Sequence, residues 1–228
     1  MEAIVLAGGS GTRLRKVVPD LPKPMAPIAG RPFLEILLAS LSRKGFNRVV
    51  LSVGFMAEKI SGYFGHRFDN LELVYVVEPE PLGTGGAVRL AMQLCIVDHV
   101  FVLNGDTFLD LEMNQVERHW QMHRRPIIVG REEPDTMRYG RLVTAHGAVT
   151  AIADKGVTGP GLINAGCYVF NLGQLNQYPA GAAFSLESDY LPKAVTSARF
   201  DVYVTTGKFI DIGVPEDYRR AQRELANY

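Results

Sequence analysis

Cysteine is scarce: the 228 residues contain two, Cys95 and Cys167. They lie far apart, and neither sits in a CxxC motif or a Cys/His ligand spacing. This argues against a disulfide framework and a zinc finger, and fits a reducing compartment. Net charge is missing too, since 24 Lys and Arg balance 24 Asp and Glu. A general polyanion binder would show a basic surplus, so nucleic acid is not an expected partner. The balance still permits a few basic side chains focused on one small phosphate ligand. No stretch approaches ~18 uninterrupted apolar residues, which argues against a membrane partner or span. The opening MEAIVLAGG is apolar for too short a stretch to be a signal peptide and lacks a basic flank. These absences predict a soluble cytoplasmic protein. With 47% hydrophobic and 21% charged residues, the chain has the means to bury a core.

Apolar periodicity alternates through the first half. Strands are predicted at Ala3–Leu6, Arg48–Val53, Leu71–Val77 and His99–Leu103. Helices are predicted at Phe33–Lys44, Ala57–Phe64, Gly86–Leu94 and Leu111–Arg124, with Gly45 ending the first of them. This βαβα rhythm points to a mostly parallel sheet with helices on both faces, and runs such as RVVLSV suit strands buried on both sides. The second half changes character. Short Gly-containing connections separate strands at Ile127–Val129, Arg141–Val143, Val149–Ala153 and Ile163–Phe170, some of them antiparallel. A helix at Glu187–Val195, a strand at Asp201–Thr205 and a closing helix at Pro215–Ala226 complete the chain, with Pro215 suited to a first helical turn. Without repeats or long linkers, one domain over 1–228 is expected.

The loop Gly8-Gly9-Ser10-Gly11-Thr12-Arg13 follows the first strand directly. Its glycines let backbone amides approach an anion, and Arg13 adds a charged fork. It is not a Walker A loop, because no Lys-Ser/Thr follows, and it lacks the third glycine of a Rossmann fingerprint. A plain strand-to-helix turn is an equal reading of these residues alone. The next block, Leu21-Pro22-Lys23-Pro24-Met25, shifts the balance: two prolines stiffen the backbone around one lysine, aiming its ammonium. Asp106, after the strand HVFVL and beside Gly105, and Asp211, after KFI, stand at strand ends. Ligands bind there in open α/β sheets, and a carboxylate pair there can hold a hard metal ion. An Asx-turn is the ordinary alternative for either.

Together these blocks carry a resemblance. LAGGSGTRL…PKPM at 6–25, EPLGTGGA at 80–87, LNGDTF at 103–108, INAGCYVF at 163–170 and IDIGVPEDY at 210–218 resemble the sugar-phosphate nucleotidyltransferases, in family order and over nearly the whole chain. The wording is nearest to a short subgroup that guanylylates a heptose 1-phosphate. The resemblance implies a Rossmann-like three-layer α/β/α nucleotidyltransferase fold with a mostly parallel, mixed central sheet, its N-terminal half for the nucleotide and its C-terminal half for the sugar. The implied reaction joins GMP from GTP to a sugar 1-phosphate and releases pyrophosphate, with Mg²⁺ as cofactor. Leu6, Ala7, Gly8, Gly9, Gly11, Thr12 and Arg13 would hold the triphosphate, with Arg13 on the leaving pyrophosphate. Lys23 would bridge the α-phosphate and the incoming phosphate, and Asp106 and Asp211 would bind the metal. Glu78, Gly83 and Thr84 would lie at the base. On the sugar side stand Gly140, Lys155, Asn164 and Asp211. There the chain departs from the family: relatives carry Glu-Lys-Pro where this sequence has Asp154-Lys155-Gly156. Asn164 reads about equally as a strand residue satisfying backbone, and Glu187 and Asp189 read better as first-turn helix acids than as sugar contacts.

His119 and His123 are four apart on a predicted helix, but lack the Glu of HExxH and a third ligand, so no zinc site is expected. Trp120 and Met122 are expected to pack. Competing assignments are a mannose 1-phosphate guanylyltransferase, an N-acetylmuramate 1-phosphate uridylyltransferase, and a non-catalytic sugar-nucleotide sensor. The retained charges Arg13, Lys23, Asp106 and Asp211 weigh against the sensor. A homo-oligomer is left open.

Overall fold

A computed structural model describes residues 1–9, 18–153 and 155–228. Ten strands form one mixed sheet that takes in both halves of the chain. The first strand, Glu2–Leu6, runs parallel to Arg48–Val53 on one side and to His99–Asn104 on the other. Leu71–Val77 extends this parallel block beyond Arg48–Val53. The crossovers between these strands carry helices, as parallel neighbours require. The antiparallel pairings belong mainly to the second half. Gly161–Asn171 lies antiparallel to both His99–Asn104 and Ile127–Glu133, and Phe200–Thr205 returns parallel to Ile127–Glu133. The hairpin Arg141–Ala145/Ala148–Ala153 closes one edge through the two-residue turn His146–Gly147.

Alternation along the first strand sends side chains to two cores. Ala3 and Val5 pack on one face with Leu34, Leu37, Leu38 and Leu41 of the helix Phe33–Arg43, and with Val116 and Trp120 of the helix Met113–His123. Ile4 points the other way, into a core with Val88 of the helix Gly83–Ala91 and Leu191 and Val195 of the helix Leu191–Ser197. The expected three layers are thus present. The helix Phe33–Arg43 ends as its sequence suggests: the Gly45 amide donates to Ser42 O at 3.1 Å and the Phe46 amide to Leu41 O at 3.2 Å, a Schellman ending with Phe46 buried.

A third cluster was not foreseen. Thr107–Leu109 pairs antiparallel with Phe209–Asp211, and the closing helix Pro215–Glu224 packs Tyr218 and Ala221 onto Phe108, Ile210 and Ile28. Two strands of three residues are too short for periodicity to reveal. The predicted helix at Glu187–Val195 is also different: a π turn at Leu186–Tyr190 precedes Leu191–Ser197. Met122, expected to pack, is 71% exposed.

The start of Phe200–Thr205 is anchored by charge. The buried Asp201 carboxylate accepts from His119 Nε2 at 3.0 Å and from Arg199 Nε at 2.8 Å, with Arg125 Nε 3.5 Å away. Burial alone would raise this carboxyl's pKa; the His119 and Arg199 hydrogen bonds and the charges of Arg125 and Arg199 more than reverse that and hold it low. A lowered folded pKa stabilises the fold above the unfolded carboxyl's pKa of about 3.9 and loses that contribution as pH falls through the folded value. Asp201→Asn is therefore expected to cost about 1–3 kcal/mol at neutral pH. Urea unfolding at pH 7 and in steps below pH 4 measures this; the variant should lose less stability on acidification than the parent.

Candidate active site

The parallel strands deliver their carboxyl ends to one place. Leu6 leads into Ala7, Gly8 and Gly9; Val53 into Gly54 and Phe55; Val77 into Glu78 and Pro79; and Asn104 into Gly105 and Asp106. Of these, all but Val53, Val77 and Gly105 line a cavity of about 770 Å³, together with Lys23, Pro24, Gly83, Thr84 and Gly213. Its floor is fixed by backbone. The Ala7 amide donates to Ser52 O at 2.7 Å, the Phe55 amide to Gly8 O at 3.3 Å and the Gly105 amide to Leu6 O at 2.9 Å. A Cβ at position 105 would run into the Leu6 carbonyl, so glycine is what lets the Asp106 segment lie against the first loop.

Lys23 stands at the start of the short 3₁₀ turn Lys23–Met25, held on both sides by proline as its sequence predicts. Its ammonium pairs closely with Asp106 Oδ2, and the lysine side chain is only 10% exposed. The Asp106 carbonyl accepts from the Ile212 amide at 3.0 Å, and the pairing of Asp211 with Thr107 sets the two acidic residues side by side. Asp211 Oδ1 accepts from the Gly213 amide at 2.7 Å. A side-chain carbon at Gly213 would lie 2.7 Å from both Asp211 Oδ1 and Lys23 Nζ, so these groups share one small space. Burial first, then the negative charge of Asp106, push the Asp211 carboxyl above its ordinary value; Lys23, the Gly213 amide and Arg138 offset this in part. Arg138 Nη2 lies 3.9 Å from Asp211 Oδ2 and 2.7 Å from Asp217 Oδ2.

Two hard oxygen donors that repel each other in a half-buried pocket suit a divalent cation, whose charge would relieve both. The described residues contain no third His, Cys, Asp or Glu grouped with them. An ion there would complete its shell with water or substrate oxygens, as Mg²⁺ ordinarily does beside phosphates.

The base-side residues are built in. Glu78 follows the strand Leu71–Val77 and accepts from Ser52 Oγ at 3.1 Å and from the Leu82 amide at 3.2 Å. Thr84 donates to Glu187 Oε2 at 2.6 Å and accepts from the Leu186 amide at 2.8 Å. Glu187 and Asp189 both sit in the first turn of Leu186–Tyr190, as expected; Glu187 is in addition tied to Thr84, while Asp189 accepts from the Ser185 amide at 2.7 Å. The sugar-side residues stand apart from the cavity lining. The Gly140 carbonyl accepts from the Asn164 amide at 2.9 Å, and the Asn164 side chain is engaged by Tyr168 and by the Gly166 amide. Lys155 is exposed. Gly11, Thr12 and Arg13 of the first loop, and Asp154, lie outside the described residues. Sequence reasoning missed Gly54, Phe55, Asn104 and Gly213 as cavity residues. The rule that strand carboxyl ends bind ligands, applied to Arg48–Val53 as it was to His99–Leu103, would have found the first two.

A parallel α/β block with a Gly-rich loop, an aimed lysine and paired carboxylates at its carboxyl edge defines a phosphate-handling site. The chain belongs to the nucleotidyl transferase family, whose profile matches residues 2–228, and it is a nucleotidyltransferase. The family generally works with a divalent metal ion. The chain is 39% identical to D-glycero-α-D-manno-heptose 1-phosphate guanylyltransferase of Aneurinibacillus thermoaerophilus, over 100% of both chains. It is 36% identical to the enzyme of that name from Campylobacter jejuni, over 96% of this chain and 97% of the other. Among solved structures it is similar to HddC from Yersinia pseudotuberculosis complexed with GMP-PN, with a TM-score of 0.87, 38% identity, and coverage of 98% and 99% of the two chains.

Because Lys23 is buried against Asp106 and faces the cavity, its charge should act on the reacting phosphates. Lys23→Met is expected to lower kcat by at least about 100-fold while changing nucleotide affinity by less than about tenfold. Steady-state kinetics with separate equilibrium binding check this; an unchanged kcat with a raised KM would make Lys23 a binding contact only.

Proposed function

We propose that this chain transfers GMP from GTP to D-glycero-α-D-manno-heptose 1-phosphate, giving GDP-heptose and pyrophosphate. The observation that carries the proposal is the convergence of Lys23, Asp106 and Asp211 at the cavity edge, in a chain aligned end to end with two enzymes of that name. The reaction gathers at least four negative charges at one point, so the protein's task is neutralisation and in-line positioning. A phosphate monoester is already an ionised nucleophile, and no general base is needed. Lys23 spans the α-phosphate and the attacking phosphate, Arg13 meets the pyrophosphate, and the loop from Leu6 to Thr12 cradles the triphosphate. Asp106 and Asp211 would hold Mg²⁺, which when bound supplies charge neutralisation between the phosphates. Gly140, Lys155, Asn164 and Asp211 form the sugar side, and the whole chain acts as one domain. Both cysteines are free, which supports a cytoplasmic setting.

Pyrophosphate release across four nucleoside triphosphates and several sugar 1-phosphates, mannose 1-phosphate included, tests the assignment. GTP with the heptose 1-phosphate should be the preferred pair; preference for UTP or for mannose 1-phosphate would replace it. Turnover should require Mg²⁺, and Asp106→Ala should remove it, since losing a hard-metal ligand costs several kcal/mol in the transition state. Activity within about tenfold of the parent at saturating Mg²⁺ would overturn the role of Asp106.

Glu78 is the group proposed to read guanine. A carboxylate offers only acceptors, and guanine presents two adjacent donors, N1–H and the 2-amino group, where uracil presents one. The Ser52 and Leu82 donors hold the carboxylate in place and leave acceptor capacity on both oxygens. In Glu78→Gln the ratio of kcat/KM for GTP over UTP should fall by about fivefold or more, within the roughly 1–3 kcal/mol of a two-point base contact. A change under about threefold would remove Glu78 from base recognition.

A further inference from the structure

A chain of hydrogen bonds runs from the cavity wall through one fully buried hydroxyl, that of Tyr168. It begins at Thr84 on the cavity wall, whose hydroxyl donates to Glu187 Oε2 at 2.6 Å. The other oxygen of Glu187 accepts from the Tyr168 hydroxyl at 3.3 Å. Tyr168 in turn accepts from Asn164 Nδ2 at 2.9 Å, and Asn164 Oδ1 accepts from the Gly166 amide at 3.0 Å. Gly166 abuts Asn104, which also lines the cavity: a Cβ on Gly166 would collide with the Asn104 carboxamide. Tyr168 is fully buried, in the strand Gly161–Asn171.

Proton bookkeeping leaves one arrangement. The Gly166 N–H fixes the Asn164 carboxamide with its oxygen toward the turn and its nitrogen toward Tyr168. The phenol, accepting there, gives its only proton to Glu187. Burial and the nearby Glu187 charge keep that phenol well above its ordinary pKa, so it stays a donor. Thr84 likewise gives its only proton to Glu187 and accepts from the Leu186 amide at 2.8 Å. Every link has one orientation, and the buried Tyr168 hydroxyl is the one that ties Glu187 to Asn164.

We propose that Tyr168 is a positioning residue whose hydroxyl fixes Asn164 and the Gly166 turn, anchored through Glu187 to Thr84 on the cavity lining. This rests on the nucleotidyltransfer reading above, with Asn164 on the sugar side. A phenylalanine in the same place would fill the same space but would leave Asn164 Nδ2 without its acceptor and Glu187 Oε1 without its donor.

The test compares the parent with Tyr168→Phe, using the parent's own nucleotidyl-transfer activity as the control for the underlying assignment. A parent that releases no pyrophosphate with any sugar 1-phosphate removes that assignment and this proposal with it. With an active parent, Tyr168→Phe should raise the KM for the sugar 1-phosphate by about fivefold or more at saturating GTP, and change the KM for GTP by less than about twofold. A merely structural tyrosine would lower the melting temperature and leave both KM values and the kcat of folded enzyme within about twofold; that result overturns the proposal. Thr84→Val cuts the chain at its other end and decides the matter if Tyr168→Phe does not fold. It too should raise the KM for the sugar 1-phosphate by more than about threefold, and an unchanged value for that substrate would overturn the proposal.

Discussion

Phosphoryl groups cannot approach one another unless their charge is met, and in the proposed reaction the meeting point is the closely paired Lys23 and Asp106 beside Asp211. A cation and two carboxylates in a half-buried space neutralise one another only in part. Asp211 carries the remainder as a raised pKa, caused by burial and by its acidic neighbour. Such a cluster is poised to exchange partners: the lysine suits phosphate oxygens and the carboxylates suit a hard cation. In the proposed reaction the Lys23–Asp106 pair is the resting arrangement of groups that would face substrate during turnover.

The rest of the fold can be understood as what holds that cluster still. Pro22 and Pro24 flank Lys23, the Gly105 amide ties the Asp106 turn to Leu6, and pairing with Thr107 brings in Asp211. The third core, built from the closing helix and two short strands, stands behind Asp211 and gives the C-terminal residues a direct share in the site. Parallel strands open their carboxyl ends onto the cavity because helical crossovers leave those ends free for ligand. The long antiparallel strand Gly161–Asn171 pairs with His99–Asn104, whose end Asn104 lines the cavity, and carries Asn164, Gly166 and Tyr168.

Much of this was legible in the residues. Val, Ile and Leu runs with helical segments between them announced the parallel block, and Gly45 and Pro215 marked a helix end and a helix start. Lys23, Asp106, Glu78 and Thr84, singled out from motifs, all line the cavity. What escaped was tertiary. Thr107–Leu109 and Phe209–Asp211 are each too short to show a period, and their pairing over about a hundred residues has no local signature. Glu187 is the helix-start acid it resembled, and its further partners, Thr84 and Tyr168, are distant in sequence. Asn164 offered two readings, and its side chain is used inside the chain, by Tyr168 and Gly166.

On the proposed mechanism the Lys23–Asp106 pair opens to receive substrate. A crystal structure of the protein with a non-hydrolysable GTP analogue and Mg²⁺ would show whether it does. Lys23 Nζ is expected within hydrogen-bond distance of an α-phosphate oxygen, with Asp106 and Asp211 on the metal. Lys23 still paired with Asp106, with the triphosphate bound elsewhere in the cavity, would contradict it.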